Sequence, residues 1–109
     1  MKITELLNRL NQELDQVEAA VSKGHELIQP ALSLAPENTL LIQIYAYLNT
    51  MAFFTEDSRR RIKQATELLE QNDIPPEESR NLGEDLSELL GRVLEAKISI
   101  DRIISRWEI

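Results

Sequence analysis

The side chains that could perform chemistry are few in this chain. It has one histidine, His25, and no cysteine among 109 residues. A zinc or di-iron site in a helical protein draws several histidines and carboxylates onto one inward face, often as a Glu-x-x-His pair. Ser22 stands three residues before His25, so that pair is absent. We therefore assign His25 a structural or surface role, and the lack of cysteine excludes thiolate chemistry and a disulfide framework.

One pattern resembles a catalytic motif, the segment Glu67-Leu-Leu-Glu70. α-Helical pyrophosphohydrolases that bind magnesium carry such a Glu-x-x-Glu pair together with a second acidic pair downstream. A Glu-x-x-Asp pair is missing after residue 73, and the two leucines between the glutamates are expected to face a hydrophobic core. We therefore expect no catalytic residue, no metal and no cofactor. A metal-dependent hydrolase that uses Glu67 and Glu70 is kept as a lesser alternative.

The sequence contains no glycine-rich loop that would hold a phosphate. Gly24, Gly83 and Gly91 each stand alone inside predicted helices, whereas phosphate-binding loops cluster their glycines between a strand and a helix. We expect these glycines to let helices approach each other closely. No motif indicates a small-molecule substrate.

One basic cluster, Arg59–Lys63, contains three arginines and a lysine. Consecutive helical residues point in different directions, so these cations spread around the helix. Glu56, Asp57 and Glu67 stand three or four residues from members of the cluster, which favours ion pairs on a solvated surface. An acidic partner or a nucleic acid docked there is the alternative. The net charge of -7 opposes phosphate binding, so we expect no nucleic-acid partner.

The composition indicates one acidic domain over residues 1–109, with 42% hydrophobic residues and 12 Lys plus Arg against 19 Asp plus Glu. The start of the chain lacks the apolar region of a signal peptide, so a cytoplasmic location is expected by default. The longest uncharged stretch, Asn38–Thr55, has the length of a membrane span. It contains several polar residues that would lack partners in lipid. We therefore expect a helix buried in protein and no membrane contact.

Apolar residues recur at steps of three and four in three long segments, the pattern of amphipathic helices. These segments predict helices over residues 2–35, 38–72 and 76–107. Prolines between the segments mark the turns, which are short. Because short turns place consecutive helices side by side, the sequence predicts an all-α fold, an elongated antiparallel up-down-up bundle of three long helices.

Two points in this plan stay open. Pro30 removes one hydrogen bond inside the first helix, which is then either kinked there or broken near Ile28–Gln29. The second helix is expected to run through residues 55–58. Thr55 or its neighbours could instead cap a new helix there.

Trp107 is the only tryptophan and falls on the apolar side of the third helix. We expect it to close one end of the bundle against Leu34, Leu40 and Leu41. The alternative is an exposed anchor for a partner, a role in which tryptophan is favoured.

Apolar residues outside the core-facing series predict an interaction surface. From Leu40 to Phe54 the second helix is apolar on nearly every side, and a three-helix bundle cannot bury every side of one member. Phe53, Leu94 and Ile98 lie outside the core-facing series and fall near one level of the bundle, and Ile42 and Ala46 lie on the face of Phe53 one or more turns away. The candidate interface residues are therefore Ile42, Ala46, Phe53, Leu94 and Ile98.

We expect a non-catalytic helical interaction or assembly module that self-associates as a homodimer through this surface. An accessory or chaperone-like subunit that offers the surface to a different protein is the alternative. A third arrangement has the segment over residues 28–34 folded across this side of the second helix.

Overall fold

Three long α-helices form the structure. The computed structural model describes residues 2–71 and 73–108, and this part of the chain contains helices and no strand. The helices are α1 (Ile3–Leu34), α2 (Thr39–Glu70) and α3 (Pro76–Trp107). The all-α prediction is confirmed, and the predicted helix bounds agree with the observed ones to within two residues. The bundle is elongated, with a longest dimension of 57 Å between Cα atoms.

Local hydrogen bonds and prolines set the helix ends. The Asn38 side chain accepts a hydrogen bond from the Leu41 amide at 3.1 Å, which satisfies one of the free amides at the start of α2. α3 starts at Pro76, where a missing amide proton leaves no hydrogen bond unmade. Glu77 and Glu78 follow in the first turn, where the helix dipole favours carboxylates. These signals are local, so the sequence predicts the helix ends closely.

The core lies between the three helices and is centred on α1. Leu10, Leu14 and Val17 of α1 have no exposed surface, and the same holds for Leu48 of α2 and Val93 of α3. Complete burial of side chains of this size contributes about 1.5–3 kcal/mol each. The buried hydrophobic residues are Leu6, Leu7, Leu10, Leu14, Val17, Val21, Ile28, Leu41, Leu48, Ile62, Ala65, Leu86, Leu89, Leu90, Val93, Ala96, Ile100 and Ile104.

α1 continues through Pro30 to Leu34 as one helix. Pro30 is exposed, while Ile28 just before it is completely buried and Ala31 just after it packs against the core. Core packing therefore holds the chain in the helix on both sides of the proline. Of the two alternatives, the break near Ile28–Gln29 is therefore wrong, and the kink stays a prediction.

α2 is continuous through residues 55–58, as expected. Thr55 and Ser58 are buried, and their hydroxyls donate to the backbone carbonyls of Ala52 and Phe54, each at 2.7 Å. Both hydroxyls thus find acceptors in their own helix, which permits polar side chains in the core. A new helix capped at Thr55 is therefore not formed.

α1 and α2 approach each other closely at Gly24. A β-carbon placed there would lie 2.9 Å from Cδ2 and 3.1 Å from Cδ1 of Leu48, which is completely buried. At Gly83 a β-carbon would make only an ordinary contact, 3.8 Å from Ile3, and at Gly91 it would meet nothing within 4 Å. Of the three glycines, Gly24 alone allows two helices to approach each other closely, the role that the sequence suggests for all three.

Arg59 connects α2 to α1, whereas the sequence predicts that the basic cluster forms ion pairs within α2 itself. Its guanidinium donates to Glu18 Oε1 at 2.9 Å, to Asn11 Oδ1 at 2.9 Å and to Asp15. The hydrogen bond to Glu18 is the largest cause that raises the pKa of Arg59 above its ordinary value, and the bond to Asp15 adds to it. Arg59 is therefore a structural link between helices.

We expect Gly91→Ala to stabilise the protein and Gly24→Ala to leave its stability unchanged or lower it. Alanine is about 1 kcal/mol more favourable than glycine inside a helix, and the methyl group at Gly91 has free space. The methyl group at Gly24 collides with Leu48, and overpacking costs about 1–3 kcal/mol. Urea unfolding followed by circular dichroism measures both variants. An equal gain in the free energy of unfolding for both variants would contradict the close approach of α1 and α2 at Gly24.

We expect Arg59→Met to lower the free energy of unfolding by about 1 kcal/mol, because three acceptors on α1 lose their shared donor. Arg60 is the matched control, since it is exposed and lies 3.7 Å from Asp57 in a single surface pair. Arg60→Met should change the same quantity by less than about 0.5 kcal/mol. Unfolding at low and high salt measures both, and salt should reduce the difference. Equal effects would show that Arg59 contributes no more than a solvated arginine.

Candidate interaction surface

α1 lies against both other helices, whereas α2 and α3 contact each other little. The ion pairs between helices follow the same arrangement. Arg59 joins α2 to α1, and Lys97 joins α3 to Glu13 of α1 at 3.2 Å. Within the described residues no ion pair joins α2 to α3. The two helices therefore leave a groove between them on the side away from α1.

The α2–α3 groove is apolar in the half of the bundle that contains the start of α2. The residues that line the groove recur at steps of three or four in each of the two helices. Those of α2 therefore form one wall of the groove and those of α3 form the other. Most of them are half-buried and pack against the core from one side. The groove is therefore core surface that the bundle leaves uncovered. We define it by Leu40, Ile44, Tyr47, Met51 and Phe54 of α2, and Ala96, Ser99, Ile103 and Trp107 of α3.

The charges that border the groove lie on α3. The α2 wall is neutral, because Asn38–Thr55 contains no charged residue. Near the middle of the bundle α3 contributes Glu95 and Arg92, and Arg92 is already paired with a glutamate of its own helix at 2.9 Å. At the Trp107 end the bordering charge is Arg106, which forms no ion pair in the part of the chain that the structure describes. The one charged residue that lines this end of the groove among the described residues is therefore a cation.

The predicted interface residues fall into two groups on two helices. Ile42, Ala46 and Phe53 share one face of α2 because they are four and seven residues apart, and we call this set the outer face of α2. Ile42 is 46% exposed and Phe53 is 70% exposed. On α3, Ile98 is 53% exposed and Leu94 is half-buried against the core. None of the five lines the α2–α3 groove.

The residues considered for chemistry do not converge on one site, since His25 is on α1 and Glu67 and Glu70 are at the end of α2. Glu67 and Glu70 are exposed on α2. His25 is half-buried, and its ring stands edge-on to that of Tyr45 of α2 with 5.3 Å between centroids. The described part of the chain contains no group of three or more histidines and carboxylates that could hold a metal ion.

Trp107 lies at the end of the groove and packs against the core there, so it closes this end of the bundle only in part. It is half-buried and lines the groove beside Leu40 and Ile44. Leu41 is buried in the core, but Leu34 is 89% exposed. The predicted contact between Trp107 and Leu34 is therefore not made, and part of the indole stays uncovered.

The groove is not evident from the sequence, because Ile44, Met51 and Ile103 belong to the apolar series at steps of three and four that predicts a closed core. Apolar residues at steps of three and four show which side of a helix is apolar, but not how far two helices lie apart. The signal that was present is the uncharged segment Asn38–Thr55, apolar on nearly every side.

In the described ranges no helix is long and apolar enough to cross a membrane. No protein-family model matches this sequence, and no match is found among curated proteins or among solved structures. A functional proposal therefore rests on the surfaces of the molecule itself.

Proposed function

We propose that this chain is a non-catalytic helical assembly module that forms a homodimer through the outer face of α2. The observation that supports the proposal is the exposure of Phe53 in a helical segment without charge. Single exposed apolar residues are common on protein surfaces. Phe53 shares its face with Ile42 and Ala46, with the neutral polar residues Asn49 and Thr50 between them, and several exposed apolar residues on one face are typical of an interaction site.

Burial of the outer face favours association. Covering a side chain of the size of phenylalanine or isoleucine contributes about 1.5–3 kcal/mol when the burial is complete. Phe53 and Ile42 begin largely exposed. Because this segment carries no charge, the contact avoids the cost of removing water from an ion. The face is thus suited to a contact that buries no charge.

A second copy of the chain fits this face. In a two-fold dimer the same surface serves both chains, so two neutral α2 segments meet. Ala46 lies between Ile42 and Phe53 on the face, and its small side chain permits close approach of two helices at the centre. Each chain carries a net charge of -7. In an antiparallel pairing the acidic residues that follow the segment, Glu56 and Asp57, lie at the edges of the contact, where repulsion is screened.

We expect the wild-type chain to have twice its chain mass of 12.5 kDa in solution, and Phe53→Asp to halve the observed mass. The carboxylate would have to lose water in the contact, which opposes association. Size exclusion with light scattering at two protein concentrations measures the mass, and circular dichroism checks that the variant keeps its helices.

Leu34→Asp is the matched control, because Leu34 is more exposed than Phe53 but lies at the end of α1. It should leave the mass unchanged. Ile98→Asp tests whether α3 takes part in the same contact. A wild-type monomer at both concentrations would overturn the proposal, and so would a Phe53→Asp variant that keeps the double mass.

A further inference from the structure

We propose that two copies of this chain pair antiparallel along the outer face of α2, with Asn49 beside the two-fold axis fixing the register. The arrangement rests on the proposed dimer, to which it adds the orientation of the second copy and the residue that selects it. Two features support it, the spacing of the residues in line with the outer face and the distribution of charge along the bundle.

The residues in line with the outer face have the same spacing in both directions of the chain. From Thr39 to Glu56 they follow at steps of three, four, three, four and three, so they form one row along the helix. A two-fold axis between Ala46 and Asn49 therefore sets these two residues opposite each other, and it sets Ile42 opposite Phe53 of the second copy. The row consists of Thr39, Ile42, Ala46, Asn49, Phe53 and Glu56.

The sizes of these side chains suit two helices that cross at the axis. Crossed helices lie closest at the crossing point and diverge on both sides of it. Ala46 is small and lies next to the axis. Ile42 and Phe53 are large and exposed, and each lies about 8 Å from the axis along the helix. The pairing therefore buries large side chains against each other at both ends of the contact.

Asn49 supplies the polar group beside the axis. Its side chain is half-buried, and within the described part of the chain no side-chain hydrogen bond involves its amide. The neighbouring Thr50 hydroxyl already donates to the Ala46 carbonyl at 3.0 Å. An amide both donates and accepts, so the Asn49 amides of two copies can satisfy each other across the axis. A single asparagine in such a contact fixes the register, because other registers bury it without a partner.

The charge of the bundle is concentrated in the half away from this contact. The half that contains the start of α2 comprises residues 19–54 and 93–108, with four Lys plus Arg against five Asp plus Glu. The rest of the chain has eight Lys plus Arg against fourteen Asp plus Glu. The contact therefore lies in a nearly neutral half, and the other half carries a net charge of -6.

This distribution favours the antiparallel pairing. In a parallel pairing the two acidic halves lie side by side, and like charges oppose association. In the antiparallel pairing the acidic halves extend from opposite ends of the contact. Their nearest α2 residues, the two copies of Thr55, are then about 22 Å apart along the helix. The Debye length is only about 10 Å in about 0.1 M salt, so the repulsion is largely screened.

Crosslinking of engineered cysteines tests the orientation, because the chain has no cysteine of its own. Thr39→Cys and Glu56→Cys place thiols at the two ends of the row. After exchange of subunits, a short bis-maleimide should join the two variants into a mixed dimer. Neither variant alone should crosslink, since its two thiols lie about 26 Å apart along the helix. Leu34→Cys, exposed at the end of α1, is the control for random collision.

Asn49→Leu tests the register. The mass measured by light scattering should stay double, while the mixed crosslink falls at least about threefold and the single variants begin to crosslink, because both orientations are then populated. Thr50→Val is the matched control, since the Thr50 hydroxyl is already satisfied within its own helix. It should keep the wild-type pattern, and circular dichroism checks that each variant keeps its helices.

Two results would overturn the inference in a chain that dimerises. The first is that each single variant crosslinks with itself and the mixture yields no mixed product, which is the pattern of a parallel pair. The second is that Asn49→Leu leaves the crosslinks unchanged. A wild-type chain with the mass of a monomer would overturn the proposed dimer as well, so the mass and the crosslinks separate the failure of one proposal from that of the other.

Discussion

The apolar stripe of α1 is the constraint on which the rest of the structure depends. Leu10, Leu14 and Val17 along this stripe have no exposed surface, and both other helices pack on it. The polar flanks of the stripe position these neighbours, with the acceptors for Arg59 on one side and Glu13 for Lys97 on the other. Because α1 positions both helices separately, contact between α2 and α3 is not needed to hold the bundle together. The groove exists because α1 holds α2 and α3 separately and the two helices contact each other little.

α2 combines two different halves in one continuous helix. Its second half has a charged surface and small buried residues such as Ser58 and Ala65, so it can pack closely. Its first half has no charge and more apolar surface than α1 and α3 cover, with Phe53 on one side and Tyr47 on another. The first half therefore lacks the charged side chains that make the surface of the second half hydrophilic. Contact with another helix would bury the apolar surface that α1 and α3 leave exposed.

The sequence predicts the local features of this fold well and the distances between helices poorly. Helix ends follow from neighbouring residues, such as Asn38 and Pro76, so the predicted bounds are close. The partners of Arg59 depend on which flank of α1 lies beside α2. The sequence spacing between Arg59 and Glu56, both on α2, carries no information about that placement. Likewise, the period of α2 shows that Met51 faces inward, but the separation of α2 from α3 decides whether it is covered. Pro30 is tolerated because Ile28 is held in the core, which is a tertiary effect.

The outer face and the groove lie on different sides of α2, since Phe53 and Phe54 are adjacent in the chain and about 100° apart around the helix. A dimer formed on the outer face would therefore leave the groove of each copy accessible. The apolar surface of the groove would then stay uncovered in the dimer. Self-association through Phe53 therefore covers only part of the apolar surface that the first half of α2 presents.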